Sequence, residues 1–259
     1  MNARTPSERD GAGPLTLYCL AHAGGSAMPY ARWSAFLPPS VRVEPLELPG
    51  HGARIGEPLV DRVDRLVDEL VSAVRPERGP FALFGHSFGA LLAFELARRA
   101  RRAGTPPDAL LVAGRNAPAE PLSHRPVHDL DDDAFVAALR RFGGMPEALV
   151  KQPGLLRMYL PALRVDLRLA ETYVRTPGEP LDLPIVTFAG RRDVLTDPRG
   201  VLAWERETTA GFDLSLLPGG HFFVGSAEFE GALVAALERR AAARRRETAD
   251  GRAPVAGRR

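Results

Sequence analysis

A chain of 259 residues, 45% hydrophobic and 25% charged, has the composition of an ordinary soluble globular protein and a length that a single α/β domain can have. It holds no apolar run near the ~18 residues that cross a bilayer, and its single cysteine, Cys19, excludes an intrachain disulfide. The formal charge of +2 hides a basic tail, with +6 on residues 239–259 and about −4 on the rest, which argues against a nucleic-acid-binding surface.

Residues 1–13, MNARTPSERDGAG, are polar, carry no signal-type segment and are expected to be disordered. A cytoplasmic protein with no membrane association is expected. The first strand is LTLYCLA (15–21), which makes Cys19 a buried structural thiol. VRVEPLEL (41–48) is the second strand. DRVDRLVDELVSAV (61–74) is an amphipathic helix with Val63, Leu66, Val67, Leu70, Val71 and Val74 on one face. FALFG (81–85) is a strand, Phe88 to Ala103 a helix, and ALLVAG (109–114) a strand. Some seventy residues then show little strand character but two helical patterns, at 131–143 and 153–174. A structureless linker of that length is improbable in a compact domain, so a helical insertion over about 122–178 is expected to cover the sheet's C-terminal edge. PIVTFAG (184–190) and FDLSLLP (212–218) are the last strands, with Asp197-Pro198 as N-cap and first residue of a helix through Trp204. A final helix is expected from about Ala227 to Ala243, followed by a disordered basic tail, 244–259. The alternation predicts a mainly parallel sheet covered by helices on both faces, one α/β domain over 14–243.

The strongest local signal is Gly85-His86-Ser87-Phe88-Gly89 between a strand and a helix. This G-x-S-x-G pattern makes a sharp turn that exposes the Ser87 hydroxyl, and the Phe88 N–H at the helix start can donate to an oxyanion. A serine nucleophile needs a base, and the base needs an orienting acid. In the α/β-hydrolase fold the chain order is Ser, acid, His. Of the six histidines, His22, His51, His86, His124, His128 and His221, only His221 follows a late strand, in a loop with Gly219 and Gly220. Phe222 and Phe223 are expected to anchor that loop in apolar surroundings. Asp193, just beyond its strand, is the expected acid. Asp197 is a rival already occupied as a helix cap, and Asn116 and Glu120 mark the alternative place for the acid. The loop Ala21-His22-Ala23-Gly24-Gly25-Ser26 supplies the second oxyanion donor, assigned to the Ala23 N–H, with His22 in a packing role. No metal site is expected.

With these residues assembled, the chain resembles the discrete type II thioesterases of polyketide and nonribosomal peptide biosynthesis. The resemblance is carried by LAHAGGSA (20–27), LPGHGARIGEP (48–58), GHSFGALLAFELAR (85–98), FAGRRD (188–193) and PGGHFFV (218–224). His51 stands where members often have arginine. The resemblance implies a Ser87–His221–Asp193 triad, oxyanion amides of Ala23 and Phe88, and an insertion acting as a lid. It also implies hydrolysis of stalled acyl groups from the phosphopantetheine arm of acyl or peptidyl carrier proteins, with no cofactor of the enzyme's own. Arg54, Arg115, Arg157, Arg164 and the tail are candidates for meeting an acidic carrier. A small-molecule esterase or an acyltransferase shares the same triad. A non-catalytic interaction module would leave its order a coincidence.

Overall fold

The computed structural model describes residues 13–145, 149 and 151–251. Six strands form one sheet: β1 (Leu15–Leu20), β2 (Val41–Leu46), β3 (Phe81–His86), β4 (Leu110–Ala113), β5 (Ile185–Gly190) and β6 (Phe212–Leu217). Their order is β2-β1-β3-β4-β5-β6 and every pairing is parallel. All six expected strands are present. The order reverses between β1 and β3, which opens a crevice at their C-terminal ends, where parallel α/β sheets place ligands.

Alternation along the strands divides the apolar residues between two cores. On one face Tyr18, Leu20, Phe81, Leu83, Leu110, Val112 and Ile185 pack against α2 (Val63–Ala73) and α3 (Phe88–Arg102). On the other, Leu17, Cys19, Ala82, Phe84, Leu111, Ala113 and Phe188 pack with Trp33, Phe229 and Leu233. Trp33 lies near the short α1 (Met28–Ala31), and Phe229 and Leu233 lie on the last helix. The Trp33, Phe84 and Phe229 rings meet at centroid distances of 4.9, 5.5 and 5.8 Å, and such pairs add about 0.5–1.5 kcal/mol each beyond area burial. Cys19 lies in this core, and burial pushes its thiol pKa well up, as its strand position anticipates.

Between β4 and β5 the chain forms α4 (Asp132–Phe142) and α5 (Pro153–Thr172). Asp131 caps α4 by accepting the Ala134 N–H, and Gly143 closes it in the left-handed conformation. Phe135, Leu139, Phe142, Leu160, Leu163 and Leu169 of these helices join the first core. The insertion is therefore packed onto the sheet domain rather than standing apart. After β5, α6 (Pro198–Leu202) begins at the Asp197 cap and continues as a 3-10 turn through Glu207.

The last helix, α7 (Ala227–Gly251), corrects the expected end at Ala243. Alanine and arginine are strong helix formers, and AAARRRETAD contains no glycine or proline until Gly251, so propensity carries the helix onward. Arg239 and Arg244 pair with Asp213 and Asp108 at 2.8 and 2.7 Å, which ties it to the domain. The expectation of disorder at 1–12 and 252–259 falls outside the described residues. Among the described residues no helix is long and apolar enough to cross a membrane.

Candidate active site

Ser87 stands at the end of β3 with φ 56° and ψ −112°, the single non-glycine residue with positive φ among those described. The turn is possible because its flanks are glycine. A Cβ on Gly85 would sit 2.1 Å from Gly89 O, and one on Gly89 would sit 2.3 Å from Leu20 O. The second contact brings the start of α3 against the end of β1, and hence Phe88 close in the fold to the Ala23 turn.

Side chains from three distant loops meet there. His221 Nε2 lies 2.9 Å from Ser87 Oγ, and His221 Nδ1 lies 2.9 Å from Asp193 Oδ2. The His221 and Asp193 side chains are 3% and 0% exposed, so solvent does not compete for these contacts. Asp193 Oδ1 accepts the Leu195 N–H at 2.8 Å, which fixes the carboxylate plane. Asp197 is not in this set. It caps α6 through Gly200 N–H and accepts from Asn116 and Ser123. Asn116 is spent on that network, and Glu120 pairs with Arg206.

His22 has the packing role expected of it. Its Nδ1–H donates to Ala23 O at 3.0 Å and its ring meets Phe222 and His86 edge-on. Burial lowers its pKa.

The place of His86 in the motif implies no role for its side chain. It is buried, and burial, with the nearby His221 and His22, drives its pKa well below the ordinary value. Its Nε2–H donates to the His221 backbone carbonyl at 2.9 Å. It thus holds the His221 backbone in place. Gly114, φ 61°, makes room for both rings, since a Cβ there would lie 3.2 Å from His86 and 3.3 Å from His221.

Phe223 is buried in the second core, but Phe222 is 40% exposed. It does not anchor the loop in the interior. It lies edge-on to His22 and His221, and a Cβ on Gly144 would come within 2.9 Å of its ring. Phe222 therefore bridges the His221 loop and the turn after α4, a contact between segments that no local pattern encodes.

Ser87 opens onto a cavity of about 210 Å³ whose wall mixes apolar Leu122, Phe142 and Leu167 with polar His124, Glu171 and Arg115. Arg115 is not at an outer rim. Its Nη2–H donates to Ala170 O, and burial lowers its pKa to about 10. Two of the other expected entrance arginines are also engaged within the fold. Arg54 pairs with Glu57 and Glu69, and Arg164 pairs with Asp132 and stacks over Phe135. Arg157 is exposed on α5. Among the described residues no group of three His, Cys, Asp or Glu side chains is arranged to hold a metal ion.

A thioesterase domain model matches residues 15–240, most of the chain. The chain belongs to the thioesterase domain family. It is 43% identical over 213 residues to thioesterase PikA5 of Streptomyces venezuelae, covering 81% of this chain and 75% of that one. Among solved structures, RedJ, a thioesterase from the prodiginine biosynthetic pathway in Streptomyces coelicolor, is 36% identical with a TM-score of 0.80. That match covers 93% of this thioesterase and 91% of RedJ. The type II thioesterase BorB from the borrelidin biosynthetic cluster is 40% identical with a TM-score of 0.78, over 88% and 92% of the two chains. The α/β-hydrolase fold, the thioesterase family and its resemblance to the discrete type II enzymes thus stand together. The enzyme is a hydrolase acting on thioesters.

Proposed function

We propose that this thioesterase removes stalled or wrong acyl groups from the phosphopantetheine arm of acyl or peptidyl carrier proteins, through an acyl-enzyme on Ser87. The observation that carries the mechanism is the pair of 2.9 Å contacts from His221 to Ser87 and to Asp193. His221 Nε2 takes the Ser87 proton as Oγ attacks the thioester carbonyl. Asp193 accepts Nδ1–H, selects the tautomer and stabilises the imidazolium. The Ala23 and Phe88 amides receive the oxyanion, each donor contributing about 3 kcal/mol to the transition state. Collapse breaks the C–S bond, and the imidazolium proton goes to the departing thiolate. Water then gives its proton to His221, attacks the acyl-enzyme, and frees the acid and Ser87. These steps move protons and acyl bonds alone and call for no metal or redox cofactor. The Leu122, Phe142, Leu167 and Leu195 side chains on the cavity wall favour an acyl tail by about 0.8 kcal/mol for each methylene buried against them.

The test measures acyl release from a carrier protein by wild type and by Ser87→Ala, beside matching small thioesters and oxygen esters. Loss of about 10⁴-fold or more in Ser87→Ala is expected, with carrier-bound acyl groups turned over fastest by the wild type. Equal or faster turnover of simple esters would overturn the carrier as partner. No release from any thioester would overturn the acyl-enzyme scheme.

A further inference from the structure

One carboxylate oxygen ties the helical insertion to the turn that carries Ala23. Asp166, in α5 and 2% exposed, accepts the Gly24 N–H through Oδ2 at 2.8 Å. The same oxygen lies 2.9 Å from His51 Nε2, and both side chains are buried. The peptide after Ala23 is therefore held at its N–H by Asp166 and at its carbonyl by His22 Nδ1–H. The peptide before it is held by Gly25 N–H donating to His22 O at 2.8 Å. N–H and C=O of a trans peptide point in opposite directions. With both flanking peptides pinned, the direction of the Ala23 N–H is set.

His51 meets acceptors on both sides of its ring. Nε2 faces Asp166, and Nδ1 lies 2.9 Å from Pro49 O. A neutral imidazole has one N–H and an imidazolium two, so only the charged ring satisfies both partners. After deprotonation, either Pro49 O loses its donor or a nitrogen lone pair faces the Asp166 carboxylate. The titratable groups facing this pair are Asp166 and Tyr159 from α5, Glu47 just after β2, and His22 from the turn after β1.

We infer that Asp166 is a positioning residue for the oxyanion turn, and that the doubly protonated His51 ring holds Asp166 in place, so that turnover declines when His51 gives up a proton. The inference rests on the roles proposed above for Ser87 and Ala23. Burial of His51 opposes its charge, but the hydrogen bond and charge of Asp166 outweigh that and raise its pKa above the ordinary histidine value. The anchor is therefore complete below the ordinary histidine value and is lost as pH rises through the raised one.

The experiment measures kcat and KM for an acyl-pantetheine thioester from pH about 6 to about 10, with the Ser87→Ala rate subtracted. Wild type, His51→Arg and Asp166→Asn are compared. Arginine stays charged throughout that range. The wild type should lose about threefold or more of its kcat on the alkaline side, and His51→Arg should remain flat there. Asp166→Asn should lower kcat about tenfold with KM changed less than about twofold. Profiles of His51→Arg and wild type that superimpose, or an Asp166→Asn kcat within about twofold of wild type, overturn this inference alone. Absence of any Ser87-dependent turnover overturns it together with the proposed function. If Asp166→Asn does not fold, ¹⁵N NMR of the wild-type imidazoles decides. A His51 ring still doubly protonated above pH about 7 supports the anchor, and a neutral ring at about 6.5 overturns it.

Discussion

Replacing Gly89 with alanine should separate catalysis from stability in this thioesterase. The added Cβ would lie 2.3 Å from Leu20 O and 2.5 Å from Ala21 O, where ordinary contact begins near 3.4 Å. Both neighbours are backbone, so no side chain can turn aside. The start of α3 and the end of β1 must part by about 1 Å. That movement separates Phe88 and Ser87 from the turn that carries Ala23. A misplacement of ~1 Å at a reacting centre costs on the order of 10²-fold, and loss of one oxyanion donor costs ~10²–10³. The overpacking itself destabilises by about 1–3 kcal/mol, partly offset by the ~1 kcal/mol that alanine gains over glycine in a helix. The net cost of up to about 2 kcal/mol lowers Tm by at most about 8 °C in a domain of this size. Steady-state hydrolysis of an acyl-pantetheine thioester, read by thiol release, should therefore show kcat down about 100-fold in protein that remains folded. A Gly89→Ala kcat within about threefold of wild type would refute the reasoning, as would a loss that merely tracks the unfolded fraction in a parallel melt.

Two further outcomes concern stored strain and the insertion. Ser87 holds a backbone conformation that costs about 1–3 kcal/mol for a residue with a side chain, so Ser87→Gly should abolish turnover yet raise thermal stability by about 1 kcal/mol; a lower Tm would contradict the strain. The Glu171 side chain, 1% exposed, accepts from the backbone of Val127 and His128 and from the His124 and His128 rings. Its burial acts to raise its pKa, but these hydrogen bonds outweigh that and hold it below the usual value. Its contribution is thus present above the unfolded carboxyl pKa and is lost as pH falls through the depressed one. Glu171→Gln should lower Tm at neutral pH by an amount equivalent to about 1–3 kcal/mol. The gap to wild type should persist down to about pH 4 and close only below it, and melts that stay parallel at all pH would contradict the assignment.

Much of this thioesterase was legible from local pattern. The six strands are short apolar runs bounded by breakers, and the Ser87 turn is dictated by two glycines between a strand and a helix. Asp193 and His221 could be chosen because each follows a late strand, a feature of chain order alone. Asp197 caps its helix where the sequence puts it. The end of α7 was also written in alanine and arginine propensity, although the charge of that stretch invites a reading as disordered tail. Other features had no local sign. His86 supports His221 across 135 positions, and Asp166 reaches Gly24 across 142. Phe222 faces Gly144 rather than the core, and Arg115 lines the cavity instead of its rim. Periodicity and turn chemistry act over a few residues, and they determined the elements and the turns after the strands that carry Ser87, Asp193 and His221. Which buried polar atom finds which partner depends on where separate elements come to rest, because a hydrogen bond needs its two atoms within ~3 Å whatever their distance along the chain. The pinning of the Ala23 turn by Asp166 and His51 was decided only when α5 packed against the end of the sheet.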